Sequence, residues 1–268
     1  ISFFISFSYT IMVTNGGTDM NLDELYNTFH EEERLFHGYA SQVEYLTTLH
    51  YIYTYAKPSM RILEIGAGCG AYSLRFHITA MDPVKRHIEI MKAKKRKDTD
   101  ITIIQGNILD LPQAWNEVFD MVLCLGPLYH IEDNQQQFTA IANCCRLCKK
   151  QGILMFSYIP HDMVIASETF HVPNFLLSEE LCQESLQLKN NPFIFHDEQQ
   201  IEALFQTFPL RKEKHLAADG LAELMRERID RFSKQEFEIY MKYHLHTCEK
   251  PSFLGHSNHN LLIFSKTD

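Results

Sequence analysis

The stretch Arg61-Ile62-Leu63-Glu64-Ile65-Gly66-Ala67-Gly68-Cys69-Gly70 is a short apolar run that enters three alternating glycines, with a carboxylate two residues before the first. Glycines at this spacing let the backbone turn tightly and approach a ligand with no Cβ in the way. A turn of that kind, at the carboxyl end of a parallel strand and the start of a helix, is where open α/β sheets hold nucleotide-like cofactors. The same residues also satisfy the dinucleotide fingerprint if Ala71 replaces its third glycine. Asp82 ends the next apolar run, Ile78 to Met81, and supplies a carboxylate for ribose hydroxyls. A dinucleotide fold wants an acid at that distance too, so the pattern supports a nucleoside without naming it.

Working outward, apolar runs alternate with helical patterns. Arg61 to Ile65, Ile78 to Met81, Ile101 to Gln105, Met121 to Leu125 and Ile153 to Tyr158 read as strands, while Val84 to Lys95 and Asn134 to Lys149 read as helices. Such alternation implies a doubly wound, mostly parallel sheet. Right-handed crossovers bring the strand carboxyl ends to one edge, where Glu64, Gly66, Asp82, Asn107 and Gly126 are expected to meet. Further on, Glu198 to Phe205 reads as a helix, Leu210 to His215 as a sixth strand, Leu221 to Leu245 as helical and Leu261 to Ser265 as the last strand.

One connection is short. Seven residues separate Gly70 from Ile78, whereas returning along a strand of roughly 17 Å takes about eleven helical residues. The spacing predicts that residues are missing between about Leu74 and His77.

Four stretches together resemble the class I S-adenosylmethionine-dependent methyltransferases, in a bacterial small-molecule-type subgroup. They are Glu64-x-Gly66-x-Gly68-x-Gly70, then Met81-Asp82-Pro83, then Gly106-Asn107-Ile108, and finally the fourth-strand motif Phe119 to His130, which contains Leu125-Gly126-Pro127-Leu128-Tyr129-His130. The likeness runs from about Met20 to Tyr158 and resumes at Leu254-Gly-His-Ser-Asn-His259. It implies a seven-stranded Rossmann-like sheet with an antiparallel final strand. It also implies S-adenosylmethionine at Glu64, Gly66, Ala67, Gly68, Gly70, Asp82, Pro83, Asn107, Ile108, Leu125 and Gly126. Tyr129 and His130, just past the fourth strand, are the nearest candidates to take a proton from the acceptor; they serve equally as walls of the cofactor pocket. A nicotinamide-dependent oxidoreductase or a non-catalytic nucleotide-binding protein is the alternative of another class.

The expected organisation is an atypical extension at 1–19, entrance helices at 20–58 and the methyltransferase domain at 59–268, with cap segments near 160–196 and 219–250. The first 13 residues are apolar but too short to span a bilayer, without a basic flank or a cleavage pattern. Met20 reads as a natural start, and the preceding segment as a non-native or misassigned extension or an extra strand. Helical stripes of Leu22, Leu25, Tyr26 and Phe29, then Leu46, Leu49, Ile52 and Tyr53, follow, with Tyr26 and His30 as lid candidates.

Composition narrows the partners. A net charge of −9 argues against a large basic face for nucleic acid and for a small-molecule acceptor, leaving an RNA or protein methyltransferase as the second reading. The run Lys92 to Lys97 ends a helix, where cations complement the dipole. Seven cysteines, an odd number in apolar patterns, point to reduced thiols in a cytoplasm. Cys144, Cys145 and Cys148 lack a second pair at ligand spacing, and His244, His246, Cys248, His256 and His259 match no metal template, so no metal is expected.

Overall fold

The computed structural model describes residue 26 and residues 31–97, 99–189 and 192–267. The extension at 1–19 and the candidates Leu22, Leu25, Phe29 and His30 lie outside the described residues. A 17-residue helix α1 (Tyr39–Tyr55) precedes β1 (Ile62–Ile65), which is followed by β2 (Ile78–Asp82), α2 (Lys85–Lys94), β3 (Ile101–Gln105), β4 (Phe119–Cys124), α3 (Asn134–Leu147) and β5 (Cys148–Pro160). Then come α4 (His161–His171), a two-residue strand β6 (Phe195–His196), α5 (Glu198–Phe205), β7 (Leu210–Ala217), α6 (Lys234–Thr247) and β8 (Asn260–Lys266).

The sheet runs β3-β2-β1-β4-β5-β8-β7, with β8 antiparallel to both neighbours and the first five strands parallel. The seven-stranded expectation is met along this path, and β6 adds an eighth strand parallel to the end of β5. All four residues of β1 are buried, as a parallel strand covered on both faces must be. Alternation splits its side chains. Leu63 and Ile65 pack toward α3 and α5 through Ile141 and Ile201, while Ile62 packs with Ile52 of α1 and Met91 of α2. Glu64 shares the face of Ile62 and is 2% exposed, so the sheet carries a buried acid at the very end where the glycine bend begins.

Three expectations need correction. The crossover from β1 to β2 closes with the residues present. A single 3-10 turn at Ser73–Arg75 replaces a helix, and Leu74 N–H donates to Gly70 O (3.1 Å), Arg75 N–H to Tyr72 O (2.9 Å) and Phe76 N–H to Ser73 O (3.3 Å). Ile78 thereby comes level with Ile62, and the backbone does not call for further residues between Leu74 and His77. Second, the stripe placed on α1 packs except at one residue: Ile52 is fully buried and Leu46 and Leu49 pack half-buried on the same core, but Tyr53 is 56% exposed, and Val43, Tyr45 and Tyr51 join the interior. Third, the helix read over Leu221 to Leu245 is broken. Ser233 Oγ accepts from Glu236 N–H (3.2 Å) and the Glu236 carboxylate accepts from Ser233 N–H (2.8 Å), a reciprocal cap that starts α6 anew.

The helix end carrying Lys92 to Lys97 is exposed. All seven cysteines are free thiols, six of them buried. Among the described residues no helix is long and apolar enough to cross a membrane.

Candidate active site

Gly66, Gly68 and Gly70 all take positive φ (71°, 52° and 81°), so the bend after β1 depends on residues without a Cβ. A Cβ on Gly66 would lie 2.8 Å from the Pro127 ring, because the loops after β1 and β4 touch there. The bend is pinned to β2: Gly66 and Ala67 N–H donate to Met81 O at 2.8 and 3.0 Å, and Gly68 N–H donates to Asp82 Oδ2 at 2.7 Å. The Asp82 carboxylate is therefore aimed into the bend. Its Oδ1 accepts from Val84 N–H at 2.9 Å and faces His87 Nδ1 at 3.0 Å. Held by two amides and an imidazole, Asp82 keeps its orientation without a ligand, and a carboxylate has lone pairs left for hydroxyl donors.

Glu64 lies beneath the bend, accepting from Ser73 Oγ. Burial pushes its pKa up to about 8; the Ser73 hydrogen bond opposes this and the neighbouring Asp82 charge adds to it. On the far side, Asn107 Oδ1 accepts from Leu109 N–H (2.9 Å), which shapes the turn after β3, and Asn143 Nδ2 donates to Ile108 O (2.8 Å). Tyr129 Oη donates to Leu125 O at 3.2 Å, so its hydroxyl proton is already placed on the backbone. His130 Nε2 is hydrogen-bonded to Tyr26 Oη at 2.9 Å, and its buried Nδ1 has no partner among the described residues. Burial, with smaller contributions from His87 and Arg34, lowers the His130 pKa to about 4. The ring is neutral at pH 7.

Glu64, Gly66, Ala67, Gly68, Gly70, Asp82, Pro83, Asn107, Ile108, Leu125, Gly126, Tyr129 and His130 all line one cavity of about 490 Å³, a size within the range of small-ligand sites. The sequence reading missed Arg34, Glu44, Thr48 and Ser157, which line the same cavity. The first three come from the entrance helices and Ser157 from β5, and none carries a local motif. The suspected His and Cys cluster near the end disperses. His244 Nε2 is spent on Ala218 O (3.2 Å), His246 and His256 are exposed, and the Cys248 thiol sits 3.6 Å from Leu245 O. Only His259 stands by the cavity, 6.3 Å from Tyr129 between ring centroids.

A doubly wound sheet with a glycine bend, two buried carboxylates and a cavity at its carboxyl edge defines an α/β protein of the Rossmann-like class. A family model described as a methyltransferase domain matches residues 56–243, more than half of the chain. The chain belongs to that methyltransferase family, which sets aside the dinucleotide reading of the bend. Among curated relatives, the ubiquinone biosynthesis O-methyltransferase of Rickettsia canadensis is 33% identical over 106 residues, a match covering 37% of this chain and 43% of that protein. The chain thus spans less than half the length of the curated relatives it matches. Among solved structures, an S-adenosylmethionine-dependent methyltransferase from Thermotoga maritima is 18% identical with a TM-score of 0.58, covering 92% of this chain and all of that one. The magnesium protoporphyrin IX methyltransferase of Synechocystis, solved with bound S-adenosylhomocysteine, is 11% identical with a TM-score of 0.56, covering 98% and 97%. At these identities the likeness is one of fold.

Proposed function

We propose that this chain transfers a methyl group from S-adenosylmethionine to a small-molecule acceptor. The observation that carries the reading is a cavity that joins the glycine bend and its two carboxylates to the aromatic wall of Tyr26, Tyr129 and His130. The residues fit the cofactor. The bend offers a cradle without Cβ atoms, Asp82 at the end of β2 is placed for ribose hydroxyls, Glu64 for the amino group of the methionine part, and Asn107 and Ile108 for the adenine side. The cofactor supplies a methyl group already activated on a sulfonium sulfur.

What the chain must add is position and dryness. Holding the two reactants in line contributes about 7–11 kcal/mol toward the barrier. Tyr129 and His130 serve this as walls: one hydroxyl is bonded to Leu125 O, and an imidazole with a pKa near 4 is a weak base at neutral pH. His130→Ala is expected to lower acceptor turnover by no more than about tenfold and to leave cofactor affinity intact; a loss of 100-fold or more, within the range for removing a general base, would restore it to catalysis. The acidic balance and the aromatic enclosure favour a small molecule over RNA or protein. Seven free thiols support a reducing compartment, the cytoplasm.

Calorimetry with S-adenosylmethionine, S-adenosylhomocysteine and NAD tests the reading. Binding of the first two and not the third is expected. Binding of NAD alone would overturn it.

A further inference from the structure

The first turn of α2 folds a histidine back over the acid that ends β2. His87 lines the cavity and is 2% exposed. Its Nδ1 faces Asp82 Oδ1 at 3.0 Å across five residues of chain, and Val84 N–H donates to the same oxygen at 2.9 Å. The other oxygen, Oδ2, accepts from Gly68 N–H at 2.7 Å. The Tyr26 ring stands edge-on to the imidazole with centroids 4.6 Å apart, and the neighbouring Arg86 donates from Nη1 to Tyr26 O at 3.0 Å. His87 is thus held between the acid of β2 and the entrance segment.

A carboxylate accepts and does not donate, so Nδ1 carries a ring proton and gives its hydrogen bond to Asp82. An ionised carboxylate offers about four lone-pair positions, two on each oxygen. Val84 and His87 together fill those of Oδ1, whereas Gly68 leaves one open on Oδ2. The two backbone amides follow from the path of the chain; the imidazole is the one side chain among these donors. Its other nitrogen argues against a role in packing alone. His87 Nε2 is buried without a hydrogen-bond partner among the described residues, and an unmet group of that kind costs about 1–3 kcal/mol that an apolar side chain would avoid. Departures from the pairing of buried polar groups gather where function requires them.

We infer that His87 closes Asp82 Oδ1 to ligands, so that the acid grips one ribose hydroxyl of the cofactor, through Oδ2, rather than both hydroxyls of the sugar. The imidazole is a positioning residue: it acts on the cofactor through the carboxylate. Because the ring is shielded from water, its hydrogen bond to Asp82 lies in a site of low dielectric, and swinging the ring aside would strand a second buried nitrogen. A ligand hydroxyl arriving at Oδ1 would not offset that loss, since it makes one bond in exchange for the one broken. The inference rests on the methyltransferase reading of the same cavity, which sets the cofactor ribose at Asp82.

The test is calorimetry with S-adenosylhomocysteine and with its 2′-deoxy and 3′-deoxy forms. Wild type should lose about tenfold or more in affinity for one deoxy form, as expected for a hydrogen bond to a charged group, and stay within about threefold for the other. His87→Leu opens Oδ1 to the second hydroxyl, so both deoxy forms should then bind about tenfold or more below the parent ligand. His87→Asn keeps an N–H donor where Nδ1 stands and should restore the one-sided pattern. Nitrogen NMR of the wild-type ring needs no variant: Nδ1 of His87 should be a protonated nitrogen in both the free and the S-adenosylhomocysteine-bound chain. Equal penalties for the two deoxy forms in wild type, a one-sided pattern that survives in His87→Leu, its loss in His87→Asn, or an Nδ1 without its proton would each overturn the inference. A wild-type chain that binds neither S-adenosylhomocysteine nor S-adenosylmethionine would instead sink the methyltransferase reading.

Discussion

The two walls of the cavity are built on opposite plans. The wall proposed for the cofactor is assembled from strand ends and the residues that directly follow them: Gly66 to Gly70 after β1, Asp82 at the end of β2, Asn107 after β3 and Gly126 after β4. Its contacts are short in sequence, such as Gly68 N–H to Asp82 over 14 residues. On the side formed by Arg34 and Glu44, partners come from across the chain. Glu44 of α1 lines the cavity and is held from behind by His259, just before β8 and itself paired with Asp219 after β7, and on the same helix Ser41 Oγ accepts from Arg226 Nη1 over 185 residues. In the proposed reading, a local plan holds the cofactor, while a long-range plan builds the side left for the acceptor. On that reading, cofactor and acceptor specificity reside in structurally separable parts of one cavity.

The sharpest way to break that comparison is to damage the local wall alone. Gly68 has φ of 52°, a conformation in which a β-branched side chain is a genuine outlier, and its amide holds Asp82. Gly68→Val combines backbone strain of about 1–3 kcal/mol with a side chain placed in the bend. We expect affinity for S-adenosylmethionine to fall at least about 100-fold, which is about 2.8 kcal/mol, as read by calorimetry. Normal affinity in this variant would mean that the bend is not the cofactor cradle.

The same contrast decides what the sequence could reveal. The bend was legible because its requirement for glycine, strand and carboxylate is met within 20 or so residues, and periodicity placed nearly every strand of the sheet. Asp82 was legible as the acid ending β2, although its bond to His87 was not. The Asp219–His259 pair was invisible, since nothing short of the register between β7 and β8 places Ala217 opposite Asn260. The two-residue strand β6 is below any periodic signal, and the exposed Tyr53 mimicked a packed position because a helical stripe cannot say which of its edges meets the sheet. The compact crossover after Gly70 escaped because length arithmetic assumes a helix where a single 3-10 turn suffices.

Glu64 offers a more moderate test, of how the local wall responds to pH. Its folded pKa of about 8 lies above the ordinary value of 4.5, so the neutral form is the one favoured by folding. The associated stability is complete below about pH 4.5 and is lost as pH rises through about 8, a change of the order of a few kcal/mol. Glu64→Gln, a neutral mimic, should flatten urea-unfolding stability across that window. If the ammonium group of the cofactor meets Glu64, binding to wild type near pH 7 should also release protons, seen as a dependence of the calorimetric heat on the buffer, and the variant should show none. Equal proton release in both would separate Glu64 from the cofactor.

The smallest effect tests the long-range wall without touching its chemistry. Ala40, the second residue of α1, donates its N–H to Asp230 Oδ1 at 2.8 Å, a cap that Gly38 at the N-cap has no side chain to supply. The same carboxylate excludes a side chain at that position: a Cβ on Gly38 would lie 2.5 Å from Asp230 Oδ1. Asp230 thus acts as a cap supplied from 190 residues away, and it fixes the helix that carries Glu44. Removing a capping oxygen costs about 1 kcal/mol. Asp230→Ala should lower stability by about that amount in urea unfolding, Asp230→Asn should recover most of it, and cofactor affinity should hold within about twofold in both. A comparable loss of cofactor affinity in Asp230→Ala would show that the two walls are coupled after all, because loosening α1 would then reach the glycine bend through Tyr45 and Tyr72, whose rings stack at 5.3 Å.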